Sequence, residues 1–533
     1  MNVDELLDAA TATSLDVPWL LEQLAPVGAY GDRAFERLRP FRRGDEAGAR
    51  ANALRIVAAA NEIDAARVDA MRDALRHAPD VAAALARASM GDVLDDPAFL
   101  ELLRFCDAWK RLGALAVDAP TLAWMPHAAV DELAATLEPG RAGNAGFYLD
   151  DGFDPALAAV RDAARVAQAT YETARGRLAA SAAAILSREH LDEEFIVMRA
   201  DLHGALPPGV RVMREAPTYL LCALELDEAA LESLGRRDGA VQSVAAGEQA
   251  VRARLSWAVR ARCAALELAA DRLGCIDVLV AQVRFAQRFA CVAPDVVDDA
   301  SVEFESGRFL CLEDELRREG LDYAPIALDL RGVAVLTGPN MGGKSVALRA
   351  CGAIALCAAF GLPVPVRRAR VGLFDRIVWL GIGGDDQRGG LLSSFAKEVV
   401  RLREILGRAP QRMLVLVDEF ARTTTPHEGR ALLVAVIGRL RESGDCALIA
   451  THLAGVAEAA RVRHFAVRGL RDIPTRPPDG DLEASLALLA RSMDYGVIEV
   501  TGEHVASADA IALAALLGLD DRLIQSAYDA LKE

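Results

Sequence analysis

The chain has 533 residues, more than one hydrophobic core accommodates, so two to four domains are expected. With 53% hydrophobic and 26% charged residues, its composition is that of a folded globular protein and excludes a disordered tail or a fibre. Sixty basic against 77 acidic side chains leave a net charge of −17, which excludes bulk attraction to nucleic acid or an anionic membrane as the default mode of binding.

Residues 1–20 carry acids in place of a basic stretch leading into an apolar run, so no secretory leader is read there. Alanine and leucine recur at helical spacing through residues 51–86, and residues 1–150 are expected to form a helical N-terminal core. Residues 151–292 are expected to supply two long lever helices, at 155–186 and 245–288. Between them a β-like insert falls at about 193–226, containing the runs 195–198 and 218–221 around Pro207-Pro208-Gly209.

The pattern changes after Pro294. Short apolar runs at 333–337, 413–417, 446–450 and 496–500 alternate with helical stretches, which predicts an α/β domain with a largely parallel sheet over 293–500. Residues 501–533 are read as a closing helical segment. The apolar run 350–366 is broken by Pro363 and Pro365 and is shorter than the ~20 residues of a bilayer span, so a buried helix is expected and no membrane contact. Nine cysteines are scattered without CxxC pairs or zinc-ligand spacing, which points to reduced thiols in a cytoplasmic protein. Charge is also unevenly spread: residues 331–476 hold 22 basic and 12 acidic side chains, net +10, which leaves −27 for the remainder.

Three elements within the α/β region carry chemistry. The run 333–337 leads into Gly338, Pro339, Asn340, Met341, Gly342, Gly343, Lys344 and Ser345, and then into a helix. This is G-x-x-x-x-G-K-S in its strand–loop–helix setting, a phosphate-binding P-loop. Its glycines turn backbone N–H groups inward, and the helix N-terminus adds a favourable dipole for an anion. Lys344, one of only four lysines in the chain, is expected on the β/γ-phosphate oxygens of ATP, and the Ser345 hydroxyl on Mg²⁺. The strand 413–417 runs into Asp418 and Glu419. Unpaired carboxylates at the end of a buried strand are costly without a reason such as a metal, so Asp418 is expected to hold Mg²⁺ and Glu419 to orient the attacking water. The strand 446–450 runs into Thr451 and His452, and His452 is expected to contact the γ-phosphate or its water.

These motifs resemble the MutS family of ABC-type ATPases. The phrase from Thr337 to Ser345 resembles that family's nucleotide loop, including its Pro-Asn-Met. Residues 418–429 resemble its Asp-Glu element and D-loop, with Arg422, Thr424 and Gly429 on familiar positions, and 450–452 resemble its Ala-Thr-His switch. Asp375-Arg376-Ile377 and Ser393-Ser394-Phe395 with Glu398 are similar to the segments between, and Tyr495-Gly496 with residues 509–531 to a dimerising helix pair. The resemblance implies an ABC-type P-loop ATPase domain preceded by a mostly helical core and lever region. It further implies Tyr323 as the aromatic that stacks on adenine, and Arg422, Thr424 and Ser393 as contacts across a dimer. The sequence departs from the pattern at 387–394, where Gly390 or Leu391 takes the place of the expected serine and Ser393 is the remaining candidate, and at Thr423 and Pro426. A mixed α/β mismatch-reading domain and its Phe-x-Glu wedge are not evident.

For such a protein the resemblance implies ATP-gated closure of a homodimer, or of a heterodimer with a related MutS-type subunit, that moves the levers on DNA. The alternative it implies is a reactivating subunit that remodels a cobalamin- and pyridoxal-phosphate-dependent aminomutase.

Overall fold

The computed structural model describes the chain except residues 123–126, 144–145, 193, 203, 340–342, 382–393, 408–411, 423, 471–492, 501–510, 512–513, 516–517 and 531–533. Two compact units make it up. One comprises Met1–His77, Leu112–Met125 and Asp271–Glu533, the other Ala78–Arg111 and Pro126–Ala270. Among the described residues no helix is long and apolar enough to cross a membrane.

In chain order the N-terminal helices are α1 (Ala9–Ser14), α2 (Val17–Gln23), α3 (Ala29–Glu36), α4 (Glu46–Glu62), α5 (Ala65–Arg76), α6 (Ala82–Met90), α7 (Asp96–Leu115) and α8 (Ala128–Leu137). A short antiparallel pair, β1 (Arg141–Ala142) and β2 (Gly146–Phe147), follows. Next come α9 (Pro155–Ile185), the strands β3 (Glu194–Met198), β4 (Val210–Glu215) and β5 (Tyr219–Leu224), α10 (Glu228–Arg260) and α11 (Cys263–Arg288).

In the unit built around α9 and α10, both long helices start at an aspartate. Asp154 accepts the Ala156 N–H ahead of Pro155, and Asp227 accepts the Ala230 N–H. Each satisfies an otherwise orphaned helix donor, and alanine-rich sequence sustains the turns that follow. The helices run antiparallel, bridged by Arg161 to Glu248 at 2.8 Å and by Arg177 to Asp227 at 2.7 Å. Between them the chain forms a three-stranded antiparallel sheet in the order β3-β5-β4. Phe195, Val197, Leu220 and Cys222 alternate onto its buried face and pack with Ala182, Ala183 and Leu191.

The second unit contains two sheets. The smaller is formed by β6 (Asp295–Val297), β7 (Ser301–Gly307), β8 (Ile326–Arg331) and β10 (Arg368–Gly372), in the order β6-β10-β7-β8, with α12 (Leu310–Arg318) between β7 and β8. Of the three arginines Arg367, Arg368 and Arg370 at and beside β10, Arg367 pairs with Glu305 at 2.6 Å and Arg370 with Asp299 at 2.5 Å. The larger sheet is formed by β9 (Val333–Thr337), β11 (Arg376–Leu380), β12 (Met413–Asp418), β13 (Cys446–Ala450), β14 (Arg463–Leu470) and β15 (Met493–Glu499). Its order is β11-β12-β13-β9-β14-β15, parallel except for β15.

Helices α13 (Lys344–Ala359), α14 (Ser394–Leu406) and α15 (Pro426–Ser443) connect its strands, with α16 (Val456–Ala460) before β14 and α17 (Asp521–Ala530) near the C-terminus. Val335, Val415, Val417 and Ile449 form one core with Ile405 of α14 and Leu433, Ile437 and Leu440 of α15. On the other face α13 approaches so closely that a Cβ on Gly352 would lie 2.7 Å from Leu416. Helices on both faces explain why β12 and β13 read as unbroken apolar runs instead of alternating ones. The apolar run from 350 accordingly forms most of α13, with Cys351 and Cys357 buried in it, and burial pushes the Cys357 thiol up to about 12.

The free edge of this sheet is covered by the chain's own first residues. Ile377 of β11 donates its N–H to the Leu6 carbonyl at 3.0 Å, and Trp379 donates to Thr11 Oγ1 at 2.9 Å. Such cover occupies hydrogen-bonding groups that an open edge would offer to another strand.

Candidate functional site

Parallel strands β9, β12 and β13 all end on one side of the sheet, at Thr337, Asp418 and Ala450, and Asp418 lies in register with Ala450. The crevice beyond the carboxyl ends of such strands is where an open α/β sheet accepts ligands. Here it opens into a cavity of about 1040 Å³.

Pro339, Gly343, Lys344 and Ser345 form its floor. Gly338 and Gly343 take φ of +148° and +90°, and a Cβ at Gly338 would come within 3.0 Å of Val467 Cβ. Glycine is the residue that tolerates both constraints. Helix α13 begins directly after Gly343 with no side-chain cap, so its first N–H groups are left for a ligand. Asn340, Met341 and Gly342 lie outside the described residues.

Lys344 is 5% exposed, with Nζ donating to the Gly338 carbonyl at 2.9 Å and the Pro339 carbonyl at 3.0 Å, and 3.7 Å from Glu419 Oε1. Burial holds its ammonium below the usual lysine value, against the pull of Glu419 and Asp418. Ser345 Oγ donates to Asp418 Oδ1 at 3.1 Å. Burial raises the Asp418 carboxyl, a rise that the Ser345 hydrogen bond opposes. Hydroxyl and carboxylate oxygens meeting at one point, on a carboxyl whose burial is incompletely compensated, suit a hard divalent cation such as Mg²⁺.

Glu419 has left-handed backbone, φ +55°, and donates its N–H to the Ala450 carbonyl at 3.1 Å. Its carboxylate is thereby set between Lys344 and Arg422 Nη1, 3.7 Å from each. Thr424 closes the following turn by donating Oγ1 to the Ala421 carbonyl at 3.0 Å, and Thr425 then caps α15 by accepting the Glu428 N–H.

Leu312, Leu316, Leu321 and Ile326 also line the cavity, as do Tyr323 and Tyr495. The Tyr323 hydroxyl accepts the Phe309 N–H at 3.1 Å, and burial pushes it up to about 12.

Of the residues expected from sequence, Gly343, Lys344, Ser345, Asp418, Glu419, Pro339, Tyr323 and Arg422 line this one cavity. Arg422, expected across a dimer, stands on the wall of its own chain's cavity. Thr424 serves the turn and His452 is exposed; neither lines the cavity. Ser393 lies outside the described residues. Sequence reasoning linked Tyr495 to a dimerising helix pair and not to the cavity, yet its ring is 3.0 Å from where a Gly343 Cβ would be. The signal available was an aromatic beside a glycine on the last strand. It also gave no role to Glu398, which is buried and accepts the Ala421 N–H at 2.8 Å.

Residues 334–532 match the family model described as MutS domain V. Among similar proteins, the DNA mismatch repair protein MutS of Rhodopseudomonas palustris (strain BisA53) is 31% identical over 427 residues, covering 72% of this chain and 45% of that protein. The protein of the same name from Granulibacter bethesdensis is 30% identical over 406 residues, covering 72% and 43%. That from Desulforamulus reducens is 34% identical over 251 residues, covering 45% and 28%. The chain thus spans about half the length, or less, of these relatives. Through its domain V and this broader similarity, the chain belongs to the MutS family.

Proposed function

We propose that the cavity binds ATP with Mg²⁺ and hydrolyses it. The observation that carries this reading is the convergence of Lys344, Ser345, Asp418 and Glu419 on one cavity beside an uncapped helix N-terminus. The triphosphate lies against the first turn of α13, where N–H groups and the helix dipole receive its charge. Lys344 exchanges its two loop carbonyls for phosphate oxygens. Ser345 and Asp418 hold Mg²⁺, which when bound neutralises charge on the terminal phosphates. Glu419 accepts a hydrogen bond from the attacking water and orients it. Tyr323 offers its ring to the base. A part for His452 requires that the loop after β13 bring it inward, and His452→Ala tests this as a loss of turnover without loss of affinity.

Two chains then close on the bound nucleotide, and closure moves the helical pair α9 and α10. The names of the relatives support DNA as the object of that motion. Calorimetry with Mg-ATP, followed by turnover with and without homoduplex, mismatched and four-way-junction DNA, tests both parts. Heat of binding and DNA-stimulated turnover are expected. Absence of nucleotide binding overturns the ATPase reading, and absence of DNA binding at low salt overturns the DNA reading alone, because phosphate contacts are strongest there.

A further inference from the structure

The turn that follows β12 is the strained part of the site. Glu419 and Ala421 both hold left-handed backbone, at φ +55° and +63°, a region that residues with a Cβ seldom occupy. Such a conformation persists where surrounding contacts over-determine it. Two contacts from α14 do so here. Phe395 meets Phe420 with ring centroids 6.4 Å apart. Glu398 Oε2 accepts the Ala421 N–H at 2.8 Å.

Glu398 is otherwise costly to the fold. It is 5% exposed, and its second carboxylate oxygen, Oε1, is buried without a hydrogen-bond partner among the described residues. Burial raises its carboxyl above the usual range. A side chain needed only to fill this space would do better as a leucine or methionine. It is not among the residues that line the cavity.

We propose that Glu398 is a positioning residue for hydrolysis, which fixes the left-handed turn through the Ala421 N–H and thereby aims the Glu419 carboxylate into the cavity. This rests on the ATPase reading above. It separates two properties: the phosphate-binding Lys344 and Ser345 sit at the start of α13, whereas Glu398 acts on the turn that follows Asp418 and bears Glu419.

The test compares parent, Glu398→Gln and Glu398→Leu for Mg-ATP affinity by calorimetry, kcat and melting temperature. In Glu398→Leu the Ala421 N–H loses its acceptor; kcat is expected to fall roughly tenfold or more while affinity stays within about threefold. Glu398→Gln keeps an oxygen for that N–H and is expected to retain kcat within about threefold. If Glu398→Leu fails to fold, Glu398→Asp withdraws the carboxylate by one methylene and is expected to show the same loss of kcat. A truncating variant with parental kcat overturns the proposal. So does an equal loss in Glu398→Gln, or a fall of kcat and affinity together. A parent protein without turnover overturns the ATPase reading and this inference with it, whereas the other outcomes leave that reading standing.

Discussion

Lys344 and Glu419 sit 3.7 Å apart, yet each is assigned to a different event. Removing the ammonium by Lys344→Ala is expected to abolish measurable Mg-ATP binding in calorimetry, since the buried floor then offers no cation to the phosphates. Glu419→Gln keeps the shape and is expected to retain ATP while turnover drops by about 10²–10³, the scale of a lost general base. Parental turnover in that variant would remove Glu419 from its role. The placement of these residues, as distinct from their roles, was legible in the sequence because each stands at the end of an element with a plain apolar pattern. Tyr495 was not legible, since it reaches the cavity from a strand about 150 positions after the loop. Nor was Glu398, whose hydrogen-bond partner among the described residues is a backbone N–H, and backbone groups leave no trace in residue type.

Helices and strands here are held at their ends by single side chains, so end-point substitutions measure them. Asp227 caps α10 and also binds Arg177 of α9. Asp227→Ala is expected to cost ~1–2 kcal/mol in denaturant unfolding, the usual worth of an N-cap. Asp445, at the start of β13, accepts the Met413 N–H at 3.0 Å through Oδ1, while buried Oδ2 has no hydrogen-bond partner among the described residues. Burial raises this carboxyl above 3.8. A raised carboxyl binds its proton more tightly folded than unfolded, so its penalty is absent below pH 3.8, grows as pH rises, and is complete above the folded value. Asp445→Asn removes that dependence, so its melting temperature relative to the parent is expected to be higher at pH 8 than at pH 4. A pH-independent difference would contradict the direction. Alternation at Phe195 and Val197 and the unbroken runs of β12 and β13 made the strands readable. Which distant segments meet was not, because nothing local marks the Val27 and Gly28 N–H groups as partners of buried Asp277 250 positions on.

For the molecule as a whole, a ligand that binds only the folded state adds stability by mass action, about 2.7 kcal/mol at a hundred times Kd. Mg-ATP is therefore expected to raise the melting transition of the parent and to leave that of Lys344→Ala unmoved. The net charge of −17 bears on DNA. Affinity for any duplex has to arise from local basic surface and should decline steeply with added salt.

The seating of Thr11 against Trp379 has a bearing on biosynthesis. The two are separated by 368 positions, so at ribosomal speeds the opening turn waits about 20–70 s for its partner to be made. Throughout that interval Leu6, Leu7 and Leu15, all buried in the finished protein, have no sheet to settle on, so their apolar surface stays exposed on the nascent chain.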